Sequence, residues 1–349
     1  MTLRATFQRY TCGEAQLPRS SHSFNVVNGH GLLFGGEVEA RKPVDPAVYS
    51  LALDDGQRHE VEFETIPASK EAPIARVGHT SAKSGDSVYV FGGRGGKDET
   101  KPMDEAGRVW RYNALAKEWT ALDPSSSVYP SARSYHASTA AEDLGKIYIH
   151  AGCPASGRAS DLWAFDFTSR AWEELTSGPL PPRGGPGLAY ALGHLFRYGG
   201  FDGHGEQGGI LDYLDVRYGH QQWQSVNFEH GKHPGGRSVL GLQAIKAAGQ
   251  TYLIAFLGEK DASSQGHAGA GKFWDDVWAL ALSGDGKPSD VWQKCELTSH
   301  SDKPPARGWF ASDVLQGETV VLFGGLNGLN ERESDGFSIR FEKGSRIGR

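Results

Sequence analysis

The residues best suited to chemistry are few, and they sit in loops. Glu259 and His267 lie eight positions apart in Glu-Lys-Asp-Ala-Ser-Ser-Gln-Gly-His, with Asp261 and Ser263 between them. A carboxylate and an imidazole on one loop form a donor set that a divalent iron accepts, with coordination positions left open for substrate. The same residues also suit a loop held by hydrogen bonds from Glu259 to the backbone, and spacing does not separate the two readings. Arg94 directly follows a Gly pair, Arg158 occupies the equivalent loop one repeat later, and Arg307-Gly-Trp309 opens the last repeat. A nearby glycine pattern is a decoy. Gly203-His204-Gly205-Glu206-Gln207-Gly208 matches G-x-G-x-x-G, but Ile-Leu-Asp-Tyr-Leu-Asp follows it and reads as a strand, where a dinucleotide site needs a helix.

The elements that position these residues come from a repeat. Short apolar strands end at a Gly pair or its remnant six times, at Gly35-Gly36, Gly92-Gly93, Gly152, Gly199-Gly200, Gly258 and Gly324-Gly325. The spacing is roughly 48 to 67 residues, close to the kelch period of about 50. Each Gly pair is followed by a variable loop, then an alternating strand with a large aromatic residue (Trp110, Trp163, Tyr213 with Tyr218, Trp278). In four units a further strand carries a second Trp (Trp119, Trp172, Trp223, Trp292). Four antiparallel strands per unit, arranged radially, predict an all-β, six-bladed β-propeller in one domain over 1–349. The last unit lacks its outermost strand, and Ala-Thr-Phe-Gln-Arg-Tyr-Thr near the N-terminus is expected to supply it and close the ring. Arg19, Arg76, Arg133, Arg183, Arg237 and Arg307 each precede a unit's first strand. Their recurrence marks them as scaffold, expected to bond loop carbonyls between blades. The non-repeated loop residues are then the functional candidates, converging on one face around the axis.

Composition agrees with this reading. Gly contributes 47 of 349 residues without a G-x-y period, and 38% hydrophobic residues suffice for a core, so collagen and wholesale disorder are excluded. A net charge of −6 gives no reason to expect nucleic acid or an anionic membrane as partner. No apolar run reaches the length of about 20 residues that a membrane span needs. The N-terminus lacks the apolar core of a signal peptide, and three widely spaced cysteines suit a reduced compartment, so a cytoplasmic protein is expected.

Several segments together resemble a known family. Gly-Glu-Lys-Asp-Ala-Ser-Ser-Gln-Gly-His is similar to the iron-site loop of the Kelch-repeat specifier proteins of glucosinolate breakdown: the epithiospecifier, nitrile-specifier and thiocyanate-forming proteins. The stretches containing Phe-Gly-Gly-Arg94, Ala-Arg-Ser-Tyr135-His, Ala-Arg-Gly-Trp309-Phe and Asn-Glu-Arg-Glu are similar too, in the family's order. The resemblance implies action on the unstable aglycone that a myrosinase-type glucosidase releases. The aglycone is diverted from isothiocyanate to nitriles, epithionitriles or thiocyanates, with Fe(II) as cofactor. It implies Glu259 and His267 as iron ligands and Arg94 as the holder of the sulfate, whose oxygens a planar guanidinium matches in pairs, and it aligns Arg158 with a second family arginine. Tyr135 and Trp309 would line the pocket. One position departs from the family: four residues after Glu259 this chain has Ser263 where the pattern has Asp. Serine is a neutral, poor ligand. Either Asp261, two residues nearer, compensates, or the cup has another task. Two alternatives therefore stay open: a changed pocket that directs another reactive intermediate, and a non-catalytic protein-interaction module.

Overall fold

The computed structural model describes residues 3–53, 58–96, 98–219 and 222–344. Six four-stranded antiparallel sheets stand around an axis as blades. Blade 1 runs Ser23–Val27, His30–Phe34, Val48–Ala52 and Phe63–Ile66, from the axis outward. Blades 2 to 5 begin at the inner strands Thr80–Ser84, Ala137–Ala141, Gly187–Ala191 and Gly241–Ala247 and repeat the order. In blade 6, the strands Ala311–Leu315, Thr319–Phe323 and Asp335–Lys343 are completed by Leu3–Thr11. The register runs without interruption from Leu3 opposite Lys343 to Thr11 opposite Asp335, so the N-terminal strand closes the ring as expected. A short segment, Glu296–Leu297, adds to its outer edge in parallel. Among the described residues no helix is long and apolar enough to cross a membrane.

Strand alternation gives each blade two apolar faces, so the core is divided into slabs between neighbouring blades. Phe34, Val48, Val88, Trp110 and Trp119 fill the slab between blades 1 and 2. Phe24, Leu33, Val321, Phe323 and Tyr10 fill the slab where blade 6 meets blade 1. Each fully buried large apolar side chain contributes about 1.5–3 kcal/mol. The blade 4 strand Ile210–Asp215 stops short of Tyr218, which is exposed and contributes nothing to a slab.

The six recurrent arginines do bond carbonyls, but within their own blade and not between blades. Arg19, Arg76, Arg133, Arg183, Arg237 and Arg307 each donate from Nη1 to the carbonyl at the first position of the Gly-pair site: Gly35, Gly92, Ala151, Gly199, Leu257 and Gly324. The second position links blades instead. The N–H groups of Gly36, Gly93, Gly152, Gly200, Gly258 and Gly325 donate to the main-chain carbonyl of the next blade's arginine, and Gly325 to Arg19 completes the circle. Gly36 shows why this position is glycine. Its φ is 93°, and a Cβ there would lie 2.7 Å from His22 Cβ and 2.8 Å from the Ser20 carbonyl.

Candidate functional site

Two rings of residues, fixed by the repeat, build a cup on one face of the disc. The first ring lies two positions after each scaffold arginine: Ser21, Gly78, Tyr135, Gly185, Val239 and Trp309. Each of its N–H groups donates to the carbonyl of the preceding blade's ring residue, at 2.7–3.2 Å, and Ser21 donates to Trp309 to close the circle. All six residues have left-handed φ, between 45° and 64°. Four are not glycine, each at a cost of order 1 kcal/mol, which the closed hydrogen-bond circle over-determines. The ring separates an axial channel lined by His22, His79 and His136 from the cup above it.

The second ring is the residue directly after each Gly-pair site: Glu37, Arg94, Cys153, Phe201, Glu259 and Leu326. Each pairs antiparallel with the residue following its blade's arginine: Ser20, Val77, Ser134, Gly184, Ser238 and Gly308. These short bridges project all six side chains onto the wall of a cavity of about 250 Å³. The scaffold dictates the position and leaves the side chain free to vary.

Outer loops complete the cup. Arg41, Arg158, Ser263, His267 and Arg332 join its lining. Of the residues singled out from the sequence, Arg94, Arg158, Tyr135, Trp309, Glu259, Ser263 and His267 all border this one cavity, whereas Asp261 does not. Asp261 points outward to Lys272 Nζ at 3.3 Å, because the pairing of this segment with Lys272–Phe273 shifts register between Glu259 and Asp261. Sequence reasoning assigned no role to Glu37, Cys153, Phe201, Arg41 or Arg332. For the first three the signal was available: they occupy the same repeat position as Arg94 and Glu259.

Aromatic rings and charges divide the space. Tyr135, His267 and Trp309 pack on one another, with centroids 5.0–5.4 Å apart. Arg158 stacks over Phe201 at 4.9 Å, and its Nε is buried without a hydrogen-bond partner among the described residues. Arg94 donates to Ser134 Oγ at 2.9 Å and to the Thr100 carbonyl. Four arginines against two glutamates line the cup, so a chain of net charge −6 presents a cation-rich cavity. Burial pushes the Cys153 thiol up, while Arg158 and Arg94 pull it back. Burial likewise raises the Tyr135 phenol, assisted by Glu37 and opposed by Arg94. The Glu259 carboxyl is pushed up to about 7 by burial, against one hydrogen bond from the Gly271 backbone.

The donors expected to hold iron are not gathered as a three-ligand set. His267 Nε2 lies 3.1 Å from Glu37 Oε1 and 3.0 Å from the Tyr135 hydroxyl. His267 Nε2 is thereby engaged by Glu37 and Tyr135. The Ser263 hydroxyl accepts from the Gln265 N–H at 3.1 Å. Among the described residues no group of three or more His, Cys, Asp or Glu could hold a metal ion. In this arrangement the residues do not fit a ferrous site with three protein ligands.

Fold and cup together define a Kelch-type propeller with a cavity at its axis. Residues 21–258 match the KLHDC2/KLHL20/DRC7 Kelch-repeats domain, and the chain belongs to that family. It is 27% identical over 348 residues to the N-(sulfonatooxy)prop-2-enimidothioate sulfolyase of Thlaspi arvense, with 93% of this chain and 92% of the relative covered. The resemblance to the specifier proteins thus extends along the chain. An F-box/kelch-repeat protein of Arabidopsis thaliana is 27% identical over 335 residues, covering 89% of this chain and 66% of that protein. The solved structure of YjhT superposes with a TM-score of 0.70 at 17% identity, over 95% of this chain and 99% of that one, which is a likeness of fold alone.

Proposed function

We propose that the protein binds the sulfated thiohydroximate released from a glucosinolate and directs its breakdown toward nitrile, epithionitrile or thiocyanate in place of isothiocyanate. The observation that carries this reading is the convergence of Arg94 and Arg158 on one aromatic-walled cavity, with Arg158 Nε left without an acceptor among the described residues. The likeness to a sulfolyase over nearly the whole chain supports the same substrate class.

Charge follows from the chemistry. As the N–O bond breaks, the sulfate passes from a monoanionic ester to a dianion. Guanidinium groups already in place bind that product-like charge more strongly than the bound ester, which lowers the barrier to sulfate departure. Sulfate also leaves on the isothiocyanate route, taking the N–O electron pair, so the product is decided by what answers the electron-poor nitrogen. Migration of the side-chain carbon to nitrogen gives isothiocyanate. Breakage of the C–S bond instead leaves the nitrile and releases the sulfur as zero-valent sulfur, which a side-chain alkene captures in the epithionitrile. Migration to sulfur gives thiocyanate. Tyr135, Trp309 and Phe201 would hold that side chain against the wall while sulfate leaves. A glucosidase of the myrosinase type would supply the substrate.

The test is the product mixture from allyl glucosinolate and myrosinase, with and without the protein. A shift from isothiocyanate toward nitrile, epithionitrile or thiocyanate supports the proposal. An unchanged mixture at excess protein defeats it.

A further inference from the structure

Arg332 is a cationic group of the cup that takes no part in the sulfate contact proposed for Arg94 and Arg158. It lies in the blade 6 loop, where it bridges to Leu326 of the wall ring. Its side chain is 8% exposed, and it lines the same cavity as Arg158. Its Nε is buried with no hydrogen-bond partner among the described residues. One Nη1–H is used, donating to the Asn330 carbonyl at 3.2 Å. The nearest carboxylate oxygen, Glu37 Oε1, is 3.9 Å from Nη2, an ion-pair distance and too long for a hydrogen bond. Glu37 is committed elsewhere, to His267, to the Ser20 and Ser21 hydroxyls and to the Arg41 N–H. Arg332 is therefore a buried guanidinium facing a ligand cavity with donors unfilled, and such donors nearly always find an acceptor.

Its place relative to Arg158 matters. Arg158 belongs to blade 3 and Arg332 to blade 6, and in a closed ring of six these blades stand opposite each other. The cup thus carries an under-satisfied guanidinium on each of two facing walls, with an aromatic floor between them.

We propose that Arg332 is a second anion-recognising residue and that the ligand is a small organic dianion, one acidic group held by Arg158 with Arg94 and the other by Arg332. The inference rests on the cup being the ligand site. It deepens the sulfolysis reading, because an imidothioate bearing an N-sulfonatooxy group, as in the relative's name, carries charge at both its sulfate and its sulfur. The thioate would face Arg332.

Titration calorimetry with three probes tests it: phenyl sulfate as a monoanion, 4-(sulfooxy)benzoate as a dianion, and terephthalate as a dianion without sulfate. The wild type is expected to bind 4-(sulfooxy)benzoate at least about tenfold more tightly than phenyl sulfate, the scale of one charged hydrogen-bonded contact. Arg332→Gln should remove that advantage and leave phenyl sulfate within about twofold, since one pole is untouched. Arg332→Lys, which keeps the charge and the fold, should recover part of it. Arg158→Gln should weaken both probes. If Arg332→Gln, with unchanged circular dichroism, weakens neither probe or weakens both equally, the two-pole assignment is overturned. If terephthalate binds through both arginines while phenyl sulfate does not bind at all, the two poles stand and the sulfate reading falls.

Discussion

His267 Nε2 sits 3.1 Å from Glu37 Oε1, joining the long loop of blade 5 to the wall of blade 1 across 230 residues of sequence. Glu37 is fully buried and also accepts from Ser20, Ser21 and Arg41. One carboxylate therefore anchors the loop that forms part of the cup's wall.

Replacing Glu37 by Ala leaves several buried donors without an acceptor. The expected loss is about 1–3 kcal/mol of unfolding free energy, measured by urea titration. Glu37→Gln keeps acceptor capacity and should cost less. Equal stability of Glu37→Ala and wild type would show that the anchor contributes nothing.

The scaffold arginines predict a larger effect. Arg237 is fully buried, donates to the Leu257 carbonyl and pairs with Asp276 Oδ1 at 2.9 Å. Asp276→Ala strands that charge inside blade 5, at an expected cost of about 3–5 kcal/mol in the same titration. A loss below 1 kcal/mol, about that of an exposed pair, would contradict the assignment.

These contacts show what the sequence could and could not reveal. Blade number, strand order and ring closure followed from the Gly-pair repeat because that repeat is imposed by geometry, as the close approach at Gly36 shows. Arg94 and Glu259 were found as residues that break the repeat. Glu37, Cys153 and Phe201 occupy the identical position, where the scaffold leaves the side chain free to vary and the residue type alone does not mark a site. Arg332 was beyond reach for a different reason: its direction depends on how its loop folds back onto Leu326, which no spacing rule encodes. Asp261 was drawn into the candidate set by its proximity to Glu259 and is turned away by a one-residue shift in pairing.

Ser263 offers a direct manipulation. Ser263→Asp restores the carboxylate spacing of the family loop and adds a charged oxygen donor to the cavity that Glu259 and His267 also line. Fe(II) affinity, measured anaerobically with a competing chelator, is expected to rise at least about tenfold over wild type. No change would mean that the loop cannot bring position 263 to the metal, whatever the residue.

Stability should peak near neutral pH, for two opposed reasons. Burial lowers His22, His136 and His150 to about 3. The folded form thus binds fewer protons than the unfolded one, and stability is lost as pH falls from about 6.5 toward 3. Burial raises Glu206 to about 8 and Glu259 to about 7. Here the folded form binds more protons, and stability is lost as pH rises from about 4.5 through 8. Neither Glu206 oxygen reaches a partner at full hydrogen-bond geometry among the described residues, and the nearby Ser238 hydroxyl offsets only part of the burial. In melting temperatures recorded from pH 5 to 9, Glu206→Gln should shrink the fall above about pH 6.5, with Glu259 keeping the remainder, and steepen the histidine-driven rise below it, which Glu206 opposes. An unaltered alkaline limb would refute the assignment to Glu206.

The most direct measurement is the product ratio from allyl glucosinolate at fixed myrosinase, as the protein concentration is raised. The combined fraction of nitrile, epithionitrile and thiocyanate is expected to rise with protein and saturate. It should stay at the protein-free level for the folded double variant Arg94→Gln/Arg158→Gln. A wild-type curve that lies on the protein-free level at every concentration, or a double variant that matches wild type, would contradict the account of the cup as a sulfate-ester site.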